Sequence, residues 1–304
     1  MSSIRLHPPS AGFASAAVFF SASLWGLYWI PLRHLENQGV AGGWAVALLN
    51  LPAAAALSLV VVWQWKRHRG QLGHAMAIGL LTGFALALYA SGLVYSSVVR
   101  ATLLFYLTPV WATLIGMLWL AEKACWQRWA AIGGGFSGLM LLVSGGGSVP
   151  LNIGDLFALF SGVFWAVGAA MIKRFDSVPV PGMTMFQFAF TGLGAIALGY
   201  LAGMVELPTG DLLARMIPMA GLLSILVFIP AVCVLFWAQK FLFPGRVGLL
   251  MMSEVLTAVI SASLLLPEES MTAIEWMGAA LIVGACLLEV LLTPQAHPAR
   301  AAQA

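Results

Sequence analysis

From Phe13 almost to its C-terminus the chain is a succession of apolar runs, each about twenty residues long. A helix of that length crosses a hydrocarbon core of about 30 Å. Only 8% of the residues are charged, against about 25% in a typical soluble domain. Inside a bilayer the backbone must satisfy its own hydrogen bonds, which leaves helices or closed barrels. A barrel would show short segments of alternating polarity, and none occur here. The expected class is an all-α polytopic membrane protein. The first run, "FASAAVFFSASLWGLYWIPLR", has the small residues of a signal peptide but is too long for one. A copy of it recurs later, so it reads as a retained span.

Breaks between the runs give ten expected transmembrane helices: 13–33, 43–64, 73–95, 98–120, 127–145, 154–174, 182–204, 214–238, 245–266 and 273–292. They fall into two copies. At a spacing of 140, Phe20, Ser21, Trp25 and Arg33 meet Phe160, Ser161, Trp165 and Lys173. At 146, Arg100, Leu103, Leu104, Glu122 and Gly138 meet Arg246, Leu249, Leu250, Glu268 and Gly284. Each copy holds five spans, an odd number, so the second enters the membrane from the opposite side as an inverted repeat. The expected organisation is a first repeat over 13–145, a second over 154–292, and short tails at 1–12 and 293–304. Loop charges point the same way. With the N-terminus inside, eleven Lys and Arg face inward (5, 66, 67, 69, 123, 128, 173, 174, 240, 246 and 300) and only Arg33, Arg100 and Arg215 outward. The positive-inside rule then places both termini in the cytoplasm, and the inner cell membrane is the expected location.

Two motif pairs carry a family resemblance. "YLTPVWATLIGMLWLAEK" (106–123) with "AAIGGGFSGLMLLVSGGG" (130–147) resembles the end of an EamA domain of the drug/metabolite transporter superfamily. "MMSEVLTAVISASLLLPEE" (251–269) with "MGAALIVGACLLE" (277–289) resembles the same region of a second copy. The resemblance implies a ten-helix exporter-like fold in which helices 1, 3, 4, 6, 8 and 9 surround a central cavity and helices 5 and 10 are peripheral. It also marks Glu122 and Glu268 as helix-end family-motif acids, for which structural roles such as helix capping are expected. The glycine usual before each of these glutamates is Ala121 in one copy and Pro267 in the other. Pro109 has Val255 opposite it, so proline supplies no reason for the two halves to bend alike.

The polar inventory is sparse. No HExxH or HxxxH pair occurs and the three cysteines suggest no framework, so neither metal nor other cofactor is expected. No basic stripe suits nucleic acid, and no Walker motif suits ATP. Paired intramembrane acids and nucleophile–base sets are also missing, which argues against an enzyme. Pro109 deprives the Phe105 carbonyl of its helical partner and is expected to kink helix 4, which makes it a candidate to expose a carbonyl to substrate or act as a hinge. Trp25 and Trp29, four apart, are expected to share a helix face, and Trp25 with its mate Trp165 to wall a cavity for an amphipathic or cationic solute. Six other tryptophans (63, 65, 119, 126, 129 and 276) sit near span ends as interfacial anchors. Asn50, Gln187 and the GxxxG pairs at Gly79, Gly134 and Gly199 read as interhelical contacts. Glu254 is the one charged residue between Val247 and Pro267. Eight residues beyond Arg246, it lies about 12 Å deep, where a charge costs at least about 2.5 kcal/mol. It is therefore expected to face a wet cavity or the bundle interior, and to serve in proton coupling or substrate binding.

The expected function is secondary active transport by alternating access, most simply export of small organic metabolites such as amino acids or amphipathic, drug-like solutes. Protons are the candidate coupling ion, the lipid bilayer is the surrounding partner, and the sequence leaves monomer or homodimer open. A passive facilitator or channel with the same fold is the alternative. In a background without native thiols, cysteines at Gly70 and Ser177 are expected to resist an impermeant thiol reagent added outside. Cysteines at Asn37, Gly147 and Thr209 are expected to react; the reverse pattern inverts the orientation and a mixed one changes the span count.

Overall fold

The computed structural model describes residues 9–40, 42–95, 101, 104–142, 152–201, 207–265 and 272–292. Every regular element among them is helical. In chain order these are α1 (Ala11–Trp25), α2 (Trp29–Asn37), α3 (Gly43–Trp63), the short α4 (Trp65–His68), α5 (Leu72–Tyr95), α6 (Thr108–Trp119) and α7 (Trp126–Leu142). There follow α8 (Ile153–Arg174), α9 (Val180–Leu201), α10 (Gly210–Leu223), a π-helical turn (Ser224–Phe228), α11 (Ile229–Gln239), α12 (Pro244–Met251), α13 (Ser253–Leu265) and α14 (Ala273–Leu292). Ser10 and Thr209 cap α1 and α10, and Asn152 with Asp155 forms a capping box on α8.

Among the described residues, seven stretches are long and apolar enough to cross a membrane: Ala11–Asn37, Gly43–Trp63, Leu72–Gly92, Ile153–Arg174, Val180–Leu201, Gly210–Gln239 and Pro244–Leu265. Thr108–Trp119 and Trp276–Leu292 are apolar but shorter. The expected helix over 98–120 is divided by a turn at Tyr106 and Leu107, and 98–100 and 102–103 lie outside the described residues. The outer surface is oily: Phe20, Leu59, Leu118, Leu201 and Leu291 are all exposed. The six expected anchor tryptophans are exposed too, whereas Trp165 is only 3% exposed.

Helices pack chiefly across the chain. α5 lies against α8 and α9, α3 against α9 and α10, α1 against α11, α12 and α13, α6 against α8 and α12, and α7 against α14. Small residues permit these approaches. A Cβ on Gly79 would come within 2.3 Å of Phe186 Cβ, and one on Gly83 within 2.5 Å of the Gln187 carbonyl. Gly138 meets the Gly278 backbone in the same way, which makes α7 and α14 a pair. Gly203, the second member of the third GxxxG pair, lies outside the described residues.

Four of these paths are interrupted. The α1–α2 path turns at Gly26–Tyr28, and the α10–α11 path passes through the π turn just before Pro230. Near α6, Leu107 and Val110 bond three residues back, to Leu104 and Leu107. Thr108 Oγ1 captures the Phe105 carbonyl that Pro109 leaves free. Met252 and Val255 likewise bond three residues back, to Leu249 and Met252, between α12 and α13. These two breaks lie at matched positions of the 146-residue offset, although only one has a proline. At the second, Ser253 Oγ donates to the Phe19 carbonyl at 2.9 Å, and a Cβ on Gly26 would sit 2.3 Å from the Glu254 carbonyl. Contact with α1 takes the place of proline.

One end of the bundle gathers buried charge. Arg128 binds Glu289 through two nitrogens, at 2.8 and 3.0 Å, and also pairs with Glu122. Arg246 Nε donates to Ser15 Oγ at 3.0 Å, joining the start of α12 to α1. Lys173 Nζ donates to the Lys240 carbonyl, and Lys240 Nζ to the carbonyls of Asp176 and Val178. Burial pushes the pKa of Lys240 down to about 8, outweighing the nearby Asp176 carboxylate. Ala121, just before Glu122, has φ of 52°, a left-handed conformation in which a Cβ is crowded. Ala121→Gly is expected to stabilise the protein by about 0.5–1 kcal/mol, read as a higher unfolding midpoint in detergent. Arg128→Met strands two buried carboxylates and is expected to cost about 3–5 kcal/mol; an unchanged midpoint would mean the cluster is solvated.

Candidate functional site

A narrow cavity of about 20 Å³, room for about one water, lies where the interrupted helices meet. Its walls are Ser21, Ala22 and Trp25 of α1, Leu86 of α5, Phe105, Trp165 of α8, Gln187 of α9, three residues of α11, Met251 of α12 and Glu254 of α13. In the expected numbering these are helices 1, 3, 4, 6, 8 and 9, joined by helix 7 through Gln187. The lining is apolar apart from Ser21, Gln187, Glu254 and the indole N–H groups.

Glu254 occupies the first turn of α13, immediately after the Met252 break. There the unpaired N–H groups and helix dipole favour negative charge. No Lys, Arg or His is among the described residues that line the cavity. The Tyr106 hydroxyl is close enough to interact with the Glu254 carboxyl, yet it makes no hydrogen bond of ordinary geometry. Trp165 Nε1 and Gln187 Oε1, on residues 3% and 0% exposed, also have no hydrogen-bond partner. A donor and an acceptor thus stand unmet beside a carboxylate and aromatic rings, an arrangement that a polar, partly flat solute would complete.

Trp25 stacks on Tyr28 with ring centroids 4.9 Å apart and meets the edge of Phe228 at 5.5 Å. Asn50 Nδ2 donates to the Tyr28 hydroxyl at 3.1 Å, so the expected interhelical role of Asn50 also braces this wall. Trp29 departs from expectation. The turn at Gly26–Tyr28 breaks the four-residue register with Trp25, and Trp29 Nε1 donates instead to Ser261 at 3.0 Å, away from the cavity lining. Pro109 is buried against Gly248, where a Cβ would lie 3.0 Å from Pro109 Cα, and does not line the cavity. Glu122 belongs to the Arg128 cluster, and Glu268 lies outside the described residues.

Sequence reasoning passed over Gln187, assigned to packing, as well as Tyr106 and Glu289. Gln187 Nε2 does bond within its own helix, to Thr191 Oγ1 at 3.1 Å, but its carbonyl oxygen is left over. Tyr106 stands three residues before Pro109, within the turn itself. Glu289 shows the signal that singled out Glu254, an acid in an apolar run, but nearer a helix end.

Known proteins of like sequence and shape agree with this architecture. A solved structure described only as a crystal structure of a protein superimposes with a TM-score of 0.69 at 19% identity, covering 92% of this chain and 99% of its own. A riboflavin transporter of Vibrio cholerae serotype O1 is 24% identical over 227 residues, which is 65% of this chain and 76% of that protein. The EamA-like transporter family matches twice, at residues 12–144 and 152–291. On those two tandem matches, covering most of its length, the chain belongs to the EamA-like transporter family.

Proposed function

We propose that this multi-pass membrane protein is a secondary transporter that exports small organic solutes by alternating access. Its site is the cavity at the helix breaks, and Glu254 is its principal coupling or binding residue. The observation that carries the reading is a lone carboxylate at a half-helix N-terminus, facing a mid-bundle cavity beside unmet hydrogen-bonding groups. Discontinuous helices around a central site are the usual construction of carriers that rock between two openings. Glu254 would trade a proton for substrate, while Trp25 and Trp165 hold the apolar body. The riboflavin transporter among the relatives favours a solute with a flat ring system.

The reading includes ten membrane crossings in two inverted five-helix repeats, with both termini in the cytoplasm. The clustering of Arg67, Glu122, Arg128, Lys173, Lys240 and Arg246 at one end of the bundle supports it. These residues come from both halves, as an inverted repeat requires.

In proteoliposomes, Glu254→Gln is expected to abolish the pH dependence of transport while leaving the protein monodisperse. Trp25→Ala or Trp165→Ala is expected to raise the half-saturating substrate concentration about tenfold, as loss of an aromatic wall suggests. A Gln variant with wild-type rate, preference and pH profile would make Glu254 structural, and unsaturable flux would favour a passive facilitator.

A further inference from the structure

The cavity's charge inventory says more about the solute than its shape does. Glu254 supplies the only formal charge among the described lining residues, and Trp165 Nε1 is a fully buried donor on them without a partner. The described arginines and lysines with contacts near the bundle's charged end are engaged there, as with Arg128 on Glu122 and Glu289 and Arg246 on Ser15. A carboxylate brought into the cavity would meet only neutral donors and the repulsion of Glu254, with no cation in the described lining. An ammonium would meet Glu254 beside the indole rings of Trp25 and Trp165, surroundings favourable to a cation. Gln187 Oε1, 0% exposed and without a partner, can accept a second N–H from the same solute.

We propose that the site takes aromatic or other flat apolar amines that carry no carboxylate, and discriminates against the amino acids of the same skeleton. The proposal rests on the cavity being the transport site and narrows its substrates. It sets aside the amino acids among the solutes expected from sequence, because an α-carboxylate has nowhere to be neutralised. The discrimination arises from leaving a buried charge without a partner, and about 100-fold in affinity is the scale such a mismatch sets.

The test is a matched pair of probes on the purified full-length protein in lipid nanodiscs, by titration calorimetry: tryptamine against L-tryptophan, repeated with phenethylamine against L-phenylalanine. The amines are expected to bind about 100-fold more tightly than the amino acids. Glu254→Gln is expected to shrink that preference to a few-fold, and the wild-type comparison stands even if this variant does not fold. Equal or tighter binding of the amino acids, no binding of either amine, or a preference that survives in folded Glu254→Gln protein would each overturn the proposal. Proteoliposome counterflow separates this from failure of the transport reading. Saturable exchange of L-tryptophan or riboflavin but not of the amines defeats the substrate class and keeps the carrier. An amine preference in binding without any saturable exchange keeps the substrate class and defeats the carrier.

Discussion

The close approach of helices from the two family segments is the contact on which the rest of this structure depends. Gly79 and Gly83 of the first segment seat Phe186 and Gln187 of the second, and Gly162 of the second leaves room for the Phe105 carbonyl of the first. Between transmembrane helices there is little hydrophobic drive to associate, so packing of small residues and stray hydrogen bonds must do the work. The Thr191 hydroxyl, donating to the Gly83 carbonyl at 3.2 Å, is one such bond. Because nearly every wall is made this way, the cavity lies between the segments, with Trp25 and Trp165 contributed one from each.

The interruptions follow from the same packing. A bilayer tolerates an unbonded carbonyl or N–H only where protein or water receives it. The freed Phe105 carbonyl is received by Thr108, while at two other breaks Ser253 and Ser224 donate to the Phe19 and Leu49 carbonyls of neighbouring helices, the latter at 2.7 Å. Three of the four breaks thus carry a hydroxyl bonded to a carbonyl. Glu254 stands in the first turn of α13, where the helix dipole favours a negative charge. Local backbone geometry thus makes the most expensive side chain in the segment tolerable.

Much of this was legible because the signals were chemical and rare. An acid in an apolar run and tryptophans recurring at 140 residues named three of the cavity's lining groups. What sequence could not supply were contacts between distant segments. The Met252 break has no proline to announce it and depends on Gly26 coming against the Glu254 carbonyl. Trp29 was misplaced because the register of α1 was carried through a turn that Gly26 introduces. Gln187 looked like a packing residue because nothing local shows that one end of its amide has a partner and the other has none. Ala121 is the reverse case: the family preference for glycine at that position has a physical reason in its φ of 52°, and this chain bears the strain.

The crossed packing also bears on the order in which the molecule can be made. Synthesis delivers α1 to α7 to the membrane before α8 to α14 exist, and α5 has few close neighbours within its own half. The glycine face of α5 must therefore wait in lipid, at Gly79 and Gly83, until α9 arrives to cover it. Charge pairing is delayed likewise: Arg128 is inserted with Glu122, but Glu289 follows 161 residues later. Most of the packing that holds α5 and α7 is therefore available only once the second half has been made.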